Sequence, residues 1–219
     1  MRRVGSLVAI VSILLSLGGC GGGGDDRRPQ IVTHILSDAG FDGDIELAAD
    51  GSYVVTQGMS PTVQTVFAGI DPTAGTEFRA FLDFPLSGSE GVPGNAIIDS
   101  AFLEIFVDDL VPLNGSLPLL VELVSFQPPN LIGTDFDRSA QPPLAAVSVP
   151  GDVTSADVGH FIPVDVTALM IRAQQLGLPD FQVRIMENLG PAIYTMMVID
   201  DTTGVNRSAQ APLLTVTFH

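Results

Sequence analysis

From Ile31 onward, short runs rich in Val, Ile, Leu, Phe and Thr alternate with pairs of turn-forming residues, and this punctuation limits the fold more than any other feature. The runs are residues 31–36, 51–56, 63–68, 78–86, 97–107, 117–126, 144–149, 181–187, 193–199 and 213–218. Between them stand Asp42-Gly43, Asp50-Gly51, Pro93-Gly94, Asn114-Gly115, Pro128-Pro129, Pro142-Pro143 and Pro150-Gly151. Gly reaches positive φ and Pro holds φ near −65°, so such pairs reverse the chain between strands. Strands recurring every ten to twenty residues or so, without a regular intervening helix, do not make a parallel βαβ sheet. The expectation is an all-β domain, a single jelly-roll-like β-sandwich with one short helix.

The clearest strand lies within 97–107. Ala101, Leu103, Ile105 and Val107 alternate with Phe102, Glu104 and Phe106, a period of two. The aliphatic set is expected in the core, and the face with two Phe around Glu104 is expected to be partly covered by a loop or a neighbour. The helix is expected at 166–176. There Val166, Leu169, Met170, Ala173 and Leu176 recur at helical spacing, Asp165 is placed to cap the start, and Gly177 and Pro179 stop it.

Before residue 31 the chain has a different character. Arg2 and Arg3 precede an uncharged, mostly aliphatic stretch, 4–17, which as a helix is about 21 Å long against about 30 Å of hydrocarbon core. That is the size of a secretory h-region rather than of a spanning helix. Leu17-Gly18-Gly19-Cys20 follows, and Cys20 is the only cysteine, so no disulfide forms within the chain. These four residues resemble the bacterial lipobox. The resemblance implies diacylglyceryl transfer to Cys20, cleavage before it, and attachment to the membrane through that lipid. The expected organisation is therefore a signal peptide at 1–19, a Gly-rich lipid-anchored tether at 20–30, and the β-sandwich domain at 31–219. Gly21, rather than Asp, follows the Cys, so an outer-membrane destination is expected if the cell is Gram-negative.

Charge narrows the partners. The chain carries a net −16, all nine of its cationic side chains are Arg, and nucleic acid is an excluded partner because almost nothing can neutralise phosphates. Loss of Arg2 and Arg3 leaves seven arginines against 25 acids, a charge of −18, which is repelled by anionic lipid headgroups. The lipid, not the protein surface, must hold the domain at the membrane.

Two segments resemble the DNRLRE domain family. Phe78-Arg79-Ala80-Phe81-Leu82-Asp83-Phe84-Pro85-Leu86 precedes a Gly/Ser/Pro loop and then Ile97-Ile98-Asp99-Ser100-Ala101-Phe102-Leu103-Glu104-Ile105-Phe106. Phe161-Ile162-Pro163-Val164-Asp165-Val166-Thr167 is similar to that family's lead-in to a short helix, and Pro212-Leu213-Leu214-Thr215-Val216 to its closing strand. Pro85 stands where the family usually has Asp, Phe106 replaces a Tyr, and the aromatic-rich middle with Trp is missing. The resemblance implies a jelly-roll sandwich in an extracytoplasmic bacterial protein. Such a domain is usually an accessory or adhesive module, and in some relatives it binds polysaccharide.

Catalytic signals are weak. His34, His160 and His219 are the only histidines, and no Gly-x-Ser-x-Gly, His-Glu-x-x-His or phosphate-binding loop is present. The chain is expected not to be an enzyme. Acidic clusters make calcium the one cofactor worth naming, with Asp38, Asp42, Asp44, Asp200 and Asp201 as candidate ligands, since calcium takes six to eight oxygens from loops of this kind. An EF-hand is excluded, because counting from Asp42 places Leu47 where Gly is needed. Arg79 and Arg184 are expected to pair with nearby acids. The expected function is a non-catalytic structural or adhesive interaction module of the cell envelope, its partner an envelope protein. The alternative is a polysaccharide-binding lipoprotein, with or without dependence on calcium. Glycan binding requires exposed Phe or Tyr beside polar groups on one sandwich face; adhesion requires an unpaired edge or an apolar patch.

Overall fold

The computed structural model describes residues 29–58, 64–126, 130–188 and 194–219. The signal segment, Cys20 and Pro128-Pro129 lie outside the described residues. Among these residues twelve strands, all paired antiparallel, form one continuous curled sheet: β1 Ile31–Leu36, β2 Gly43–Leu47, β3 Tyr53–Gln57, β4 Thr65–Ile70, β5 Glu77–Pro85, β6 Ile98–Val111, β7 Leu117–Val124, β8 Ala145–Val153, β9 Phe161–Asp165, β10 Asp180–Glu187, β11 Met196–Asp200 and β12 Leu213–Phe218. One regular helix, α1, spans Thr167–Leu176, and a single turn, α2, spans Arg207–Gln210. Among the described residues no helix is long and apolar enough to cross a membrane.

The sheet order β1-β12-β6-β11-β4-β5-β10-β7-β8 brings early strands against late ones, with β1 on β12, β4 on β11 and β5 on β10. This nested pairing is the wrapped arrangement of a jelly-roll-like sandwich. β6 joins its two layers. Its first part pairs with β12 and β9, and its last residues pair with β11. The alternation read from the sequence holds: Ala101, Leu103, Ile105 and Val107 are fully buried between the layers, against Leu82, Phe84, Val183, Ile185, Leu214 and Val216. α1 lays Leu169, Met170 and Ala173 on this core and closes one opening of the sandwich.

The helix starts one residue later than its hydrophobic pattern predicts. Val166 occupies the N-cap position with no side-chain cap, while Asp165 Oδ1 accepts the Thr167 N–H at 3.0 Å. Asp165 still satisfies a free helical donor, but from the end of β9. Gly177 ends the helix at φ 65°, where a side chain would be strained, and the N–H of Leu178 closes onto the Ala173 carbonyl.

β5, β10 and β7 are buried on both faces, which removes the alternation that would announce them as strands. Their second face packs a smaller core of Ile45, Phe81, Val124, Phe126, Leu131 and Phe136 under the β2–β3 hairpin and the segment around the 3-10 turn Gly133–Asp135.

Candidate functional site

Three groups of polar residues bear on function. The first lies on the outer face of β7 and β10. Arg184 is fully buried; its Nε and Nη2 sit 2.8 and 2.6 Å from Glu122 Oε2, and its Nη1 donates to the Asp135 carbonyl at 2.6 Å. Arg138 Nη2 reaches the other Glu122 oxygen at 2.7 Å. Arg79 pairs with Glu77 at 2.7 Å, donates to the Phe136 carbonyl, and lies 4.0 Å over the Phe136 ring. Both strand arginines therefore pair with nearby acids, as expected from the sequence. Burial pushes the Arg184 guanidinium below its usual range, with Glu122 acting the other way. Its donors are spent on protein acceptors, so Arg184 clamps the 131–141 segment onto the sheet.

The second group contains the five candidate calcium ligands. Asp42 and Asp201, far apart in sequence, meet in the interior with 1% and 4% of their surfaces exposed. Burial pushes both carboxyls above their usual range, and the charge of Asp201 raises Asp42 further. Asp42 Oδ1 accepts the Asp83 backbone N–H at 2.8 Å, and Asp201 Oδ1 is 3.1 Å from Arg207 Nη1. Asp44 is buried on β2, where burial pushes its carboxyl up to about 7 against a backbone hydrogen bond from Phe67. Asp38 caps its own turn by accepting the Gly40 N–H at 2.9 Å, and Asp200 does the same for Thr202 at 2.8 Å. Asp109, Asp137 and Asp157 likewise accept backbone N–H groups of Leu110, Ser139 and Thr154. Among the described residues no group of three or more His, Cys, Asp or Glu side chains is placed to hold a metal ion. Of the five candidate carboxylates, Asp38 and Asp200 serve turns, Asp44 stands on β2, and Asp42 and Asp201 bind protein donors.

The third group is the open face of the four-stranded layer β1-β12-β6-β9. Register fixes its rows. His34 lies opposite Thr215, Thr215 opposite Phe102, and Phe102 opposite Asp165. The next row holds Leu36, Leu213, Glu104 and Pro163, and beyond it Phe106 faces Phe161. Phe102 and Phe161 are 39% and 40% exposed. Phe106 packs edge-on against Phe161 with ring centroids 5.2 Å apart. Beside the rings, His34 Nδ1 lies 3.1 Å from Thr215 Oγ1, which donates to Glu104 Oε2 at 3.2 Å. The partial cover expected on this face falls on Glu104 and Phe106, which are half-buried with the Phe161 ring of β9 against Phe106, while Phe102 stays exposed among the described residues. These register positions hold no arginine, so the face carries acceptors and rings without a cation. The sequence singles out only the two Phe of β6; Phe161, His34 and Thr215 come from strands distant in the chain.

The histidines do not converge. His34 is on this face, His160 Nδ1 lies 3.0 Å from the Val158 carbonyl, and His219 Nδ1 lies 3.1 Å from Asp99 Oδ2. A cleft of about 570 Å³ runs between Ile31–Thr33 at the outer edge of β1 and the 86–93 loop. Thr33 Oγ1 ties that loop to β1 through the Glu90 carbonyl.

The fold and this face define an all-β sandwich with one open, mixed aromatic and polar surface. Compared with protein-family models and with curated proteins, the chain matches none.

Proposed function

We propose that the chain is a non-catalytic, lipid-anchored interaction module of the cell envelope, of the kind the DNRLRE resemblance implies, and that its open β1-β12-β6-β9 face is where it engages a structural or adhesive partner. The exposed Phe102 and Phe161 on that face carry this reading. Two large rings partly exposed on one sheet face, above a core that buries the aliphatic residues of the same strands, support docking there. Cys20 supports the anchor, and the 20–30 tether gives the domain reach away from the membrane. The −18 charge of the processed chain supports attachment by lipid and not by surface adsorption.

The second reading is polysaccharide binding, and the hydrogen-bonded series His34, Thr215, Glu104 favours it. Sugar rings present C–H faces that stack on aromatic rings and hydroxyls that donate to carboxylates, and neighbouring register positions of this face offer both. With two carboxylates and no cation it suits a neutral glycan over a polyanion. The test is a binding screen of the full chain against neutral and acidic polysaccharides and isolated envelope proteins, with calcium and with EDTA. The Phe102→Ser and Phe161→Ser variants are run beside the wild type. Loss of one partner class in both variants with an unchanged melting temperature supports the face as the site. Binding that survives both substitutions refutes it, and loss in EDTA alone returns calcium to the site.

A further inference from the structure

We propose that β3 is a self-association edge: two copies of the chain pair their β3 strands antiparallel about a two-fold axis at Val55, so that one sheet runs through both. Among the described residues β1, β3, β8 and β9 each have a partner strand on one side only. An open edge is a template for another strand, and all of these but β3 carry a device against it. On β9 the Val166 N–H donates to the Ala101 carbonyl, so by alternation Phe161, Pro163 and Asp165 turn their backbone outward, and Pro163 has no N–H to offer. On β8, Pro150 and the charged Asp152 flank Gly151, which has φ 82°. The outer edge of β1 has the 86–93 loop beside it, tied by Thr33 Oγ1 to the Glu90 carbonyl.

Tyr53-Val54-Val55-Thr56-Gln57 holds no charge, no Pro and no Gly, and Tyr53, Val54 and Val55 are 40%, 49% and 37% exposed. The strand is nevertheless fixed. Tyr53 packs against the Phe136 ring with centroids 5.4 Å apart, Gln57 Nε2 donates to the Phe41 carbonyl at 2.9 Å, and Gln57 Oε1 accepts the Leu131 N–H at 2.7 Å. A preorganised edge loses little freedom when a second strand adds to it.

The hydrogen-bond phase of β3 selects a second copy as the occupant. The Ala48 N–H donates to the Ser52 carbonyl and the Gly58 N–H to the Asp42 carbonyl. By alternation Val54 and Thr56 bond to β2, while Tyr53, Val55 and Gln57 turn both N–H and C=O outward. These outward residues are symmetric about Val55. In a two-fold pair Val55 faces its own counterpart and Tyr53 faces Gln57 of the second copy, each exchanging both backbone bonds, and no outward donor or acceptor of the strand is left over. Val54 then faces Thr56, so no charge meets a charge at the seam. The acids beside it, Glu46 and Asp44, are on β2 opposite Val54 and Thr56. Three strand spacings put them about 14 Å from those of the second copy, beyond the screening length of about 8 Å at physiological salt. A strand pair of this length covers less than the ~800 Å² per partner of a standard interface, so the association is weak and concentration-dependent.

The experiment is thiol cross-linking of the full chain in mild detergent, with Cys20→Ser as background so that no other thiol is present. Val55→Cys is expected to form a disulfide-linked dimer on mild oxidation. Tyr53→Cys and Gln57→Cys are expected to link poorly alone and several-fold better when mixed. Linking of Val55→Cys no greater than that of Val32→Cys, which is 52% exposed on β1, overturns the proposal, and so does a mixture that links no better than its components. In sedimentation, Val55→Lys and Val55→Glu are each expected to be monomeric and to dimerise when mixed; a mixture that stays monomeric overturns it. Each copy carries −16, so wild-type dimerisation is expected to strengthen with salt, and weakening with salt assigns the contact to ion pairs elsewhere. The Val55 amide is expected to gain protection from hydrogen exchange as concentration rises. Protection at every dilution means that the chain covers this edge itself, and a wild type monomeric at all concentrations that captures a different envelope protein through β3 gives the edge to that partner; either result refutes self-pairing.

Discussion

Arg184 and Glu122, 62 positions apart in the chain, stand opposite each other on β10 and β7 with two guanidinium nitrogens on one carboxylate oxygen at 2.8 and 2.6 Å, and neither side chain touches solvent. A buried pair of this kind is stabilised by its mutual attraction only because the remaining donors also find partners, here the Asp135 and Gln141 carbonyls and Arg138.

Glu122→Ala leaves Arg184 buried with its charge uncompensated, and is expected to cost about 3–5 kcal/mol in urea unfolding. The double variant Arg184→Met/Glu122→Leu removes both charges and is expected to recover a large part of that loss. A double variant as unstable as Glu122→Ala shows that the carbonyls of the 135–141 segment, rather than the ion pair, depend on Arg184.

Two glycines separate crowding from backbone strain. Gly69 has φ 115°, and a Cβ there would lie 2.3 Å from the Thr195 carbonyl oxygen on the neighbouring segment. Gly177 has φ 65° with nothing within 4 Å of its Cβ position. Gly177→Ala is expected to cost about 1–2 kcal/mol from the left-handed conformation alone, and Gly69→Ala roughly 3 kcal/mol or more because strain and overlap combine. Equal losses in thermal unfolding contradict this assignment.

Asp83 gives the fold a pH signature. Burial pushes its carboxyl up to about 6, opposed by the Gln182 hydrogen bond. Its value in the folded chain lies above that of the unfolded chain, so its contribution is fully present below about pH 4 and is lost as pH rises through about 6. Asp83→Asn keeps an acceptor for Gln182 and removes the titration. Between about pH 4 and pH 6 the melting temperature of Asp83→Asn is expected to fall less than that of the wild type, with little difference in slope above that range. Parallel curves for the two proteins show that Asp83 ionises normally in the fold.

Cys20→Ser removes the only thiol. Under the lipoprotein reading the variant is expected to lose incorporation of labelled fatty acid and to retain residues 1–19, both visible by mass spectrometry. Fatty acid found on the Cys20→Ser chain disproves attachment at that residue.

Much of the sandwich is legible in the order of the residues. The limits of β1 and β12 match their apolar runs, and β6, β7, β8 and β10 fall within a few residues of theirs, because turn pairs and β-branched residues act locally. β2 is hidden, since Gly43-Asp44-Ile45-Glu46-Leu47 reads as an acidic turn until the core takes Ile45 on one side and buries Asp44 on the other. β9 reads as a lead-in to the helix, although its pairing with β6 makes it a strand that widens the open face. The candidate site is less visible still. Phe102 stands out in the sequence, but its neighbours His34, Thr215 and Phe161 arrive from three other strands.

The sequence alone determined the class of fold, the position of the helix, the −16 charge and the motif at Cys20, because periodicity, turn chemistry and net charge are properties of neighbouring residues or of sums over the chain. Only the tertiary structure decided that Asp42 meets Asp201 instead of gathering with Asp38 and Asp44, that Arg184 is spent on Glu122, and that the Phe102 face stays open. Each of these depends on which strands become neighbours, and that choice is made by burying one shared core, a cooperative outcome that no local run of residues encodes.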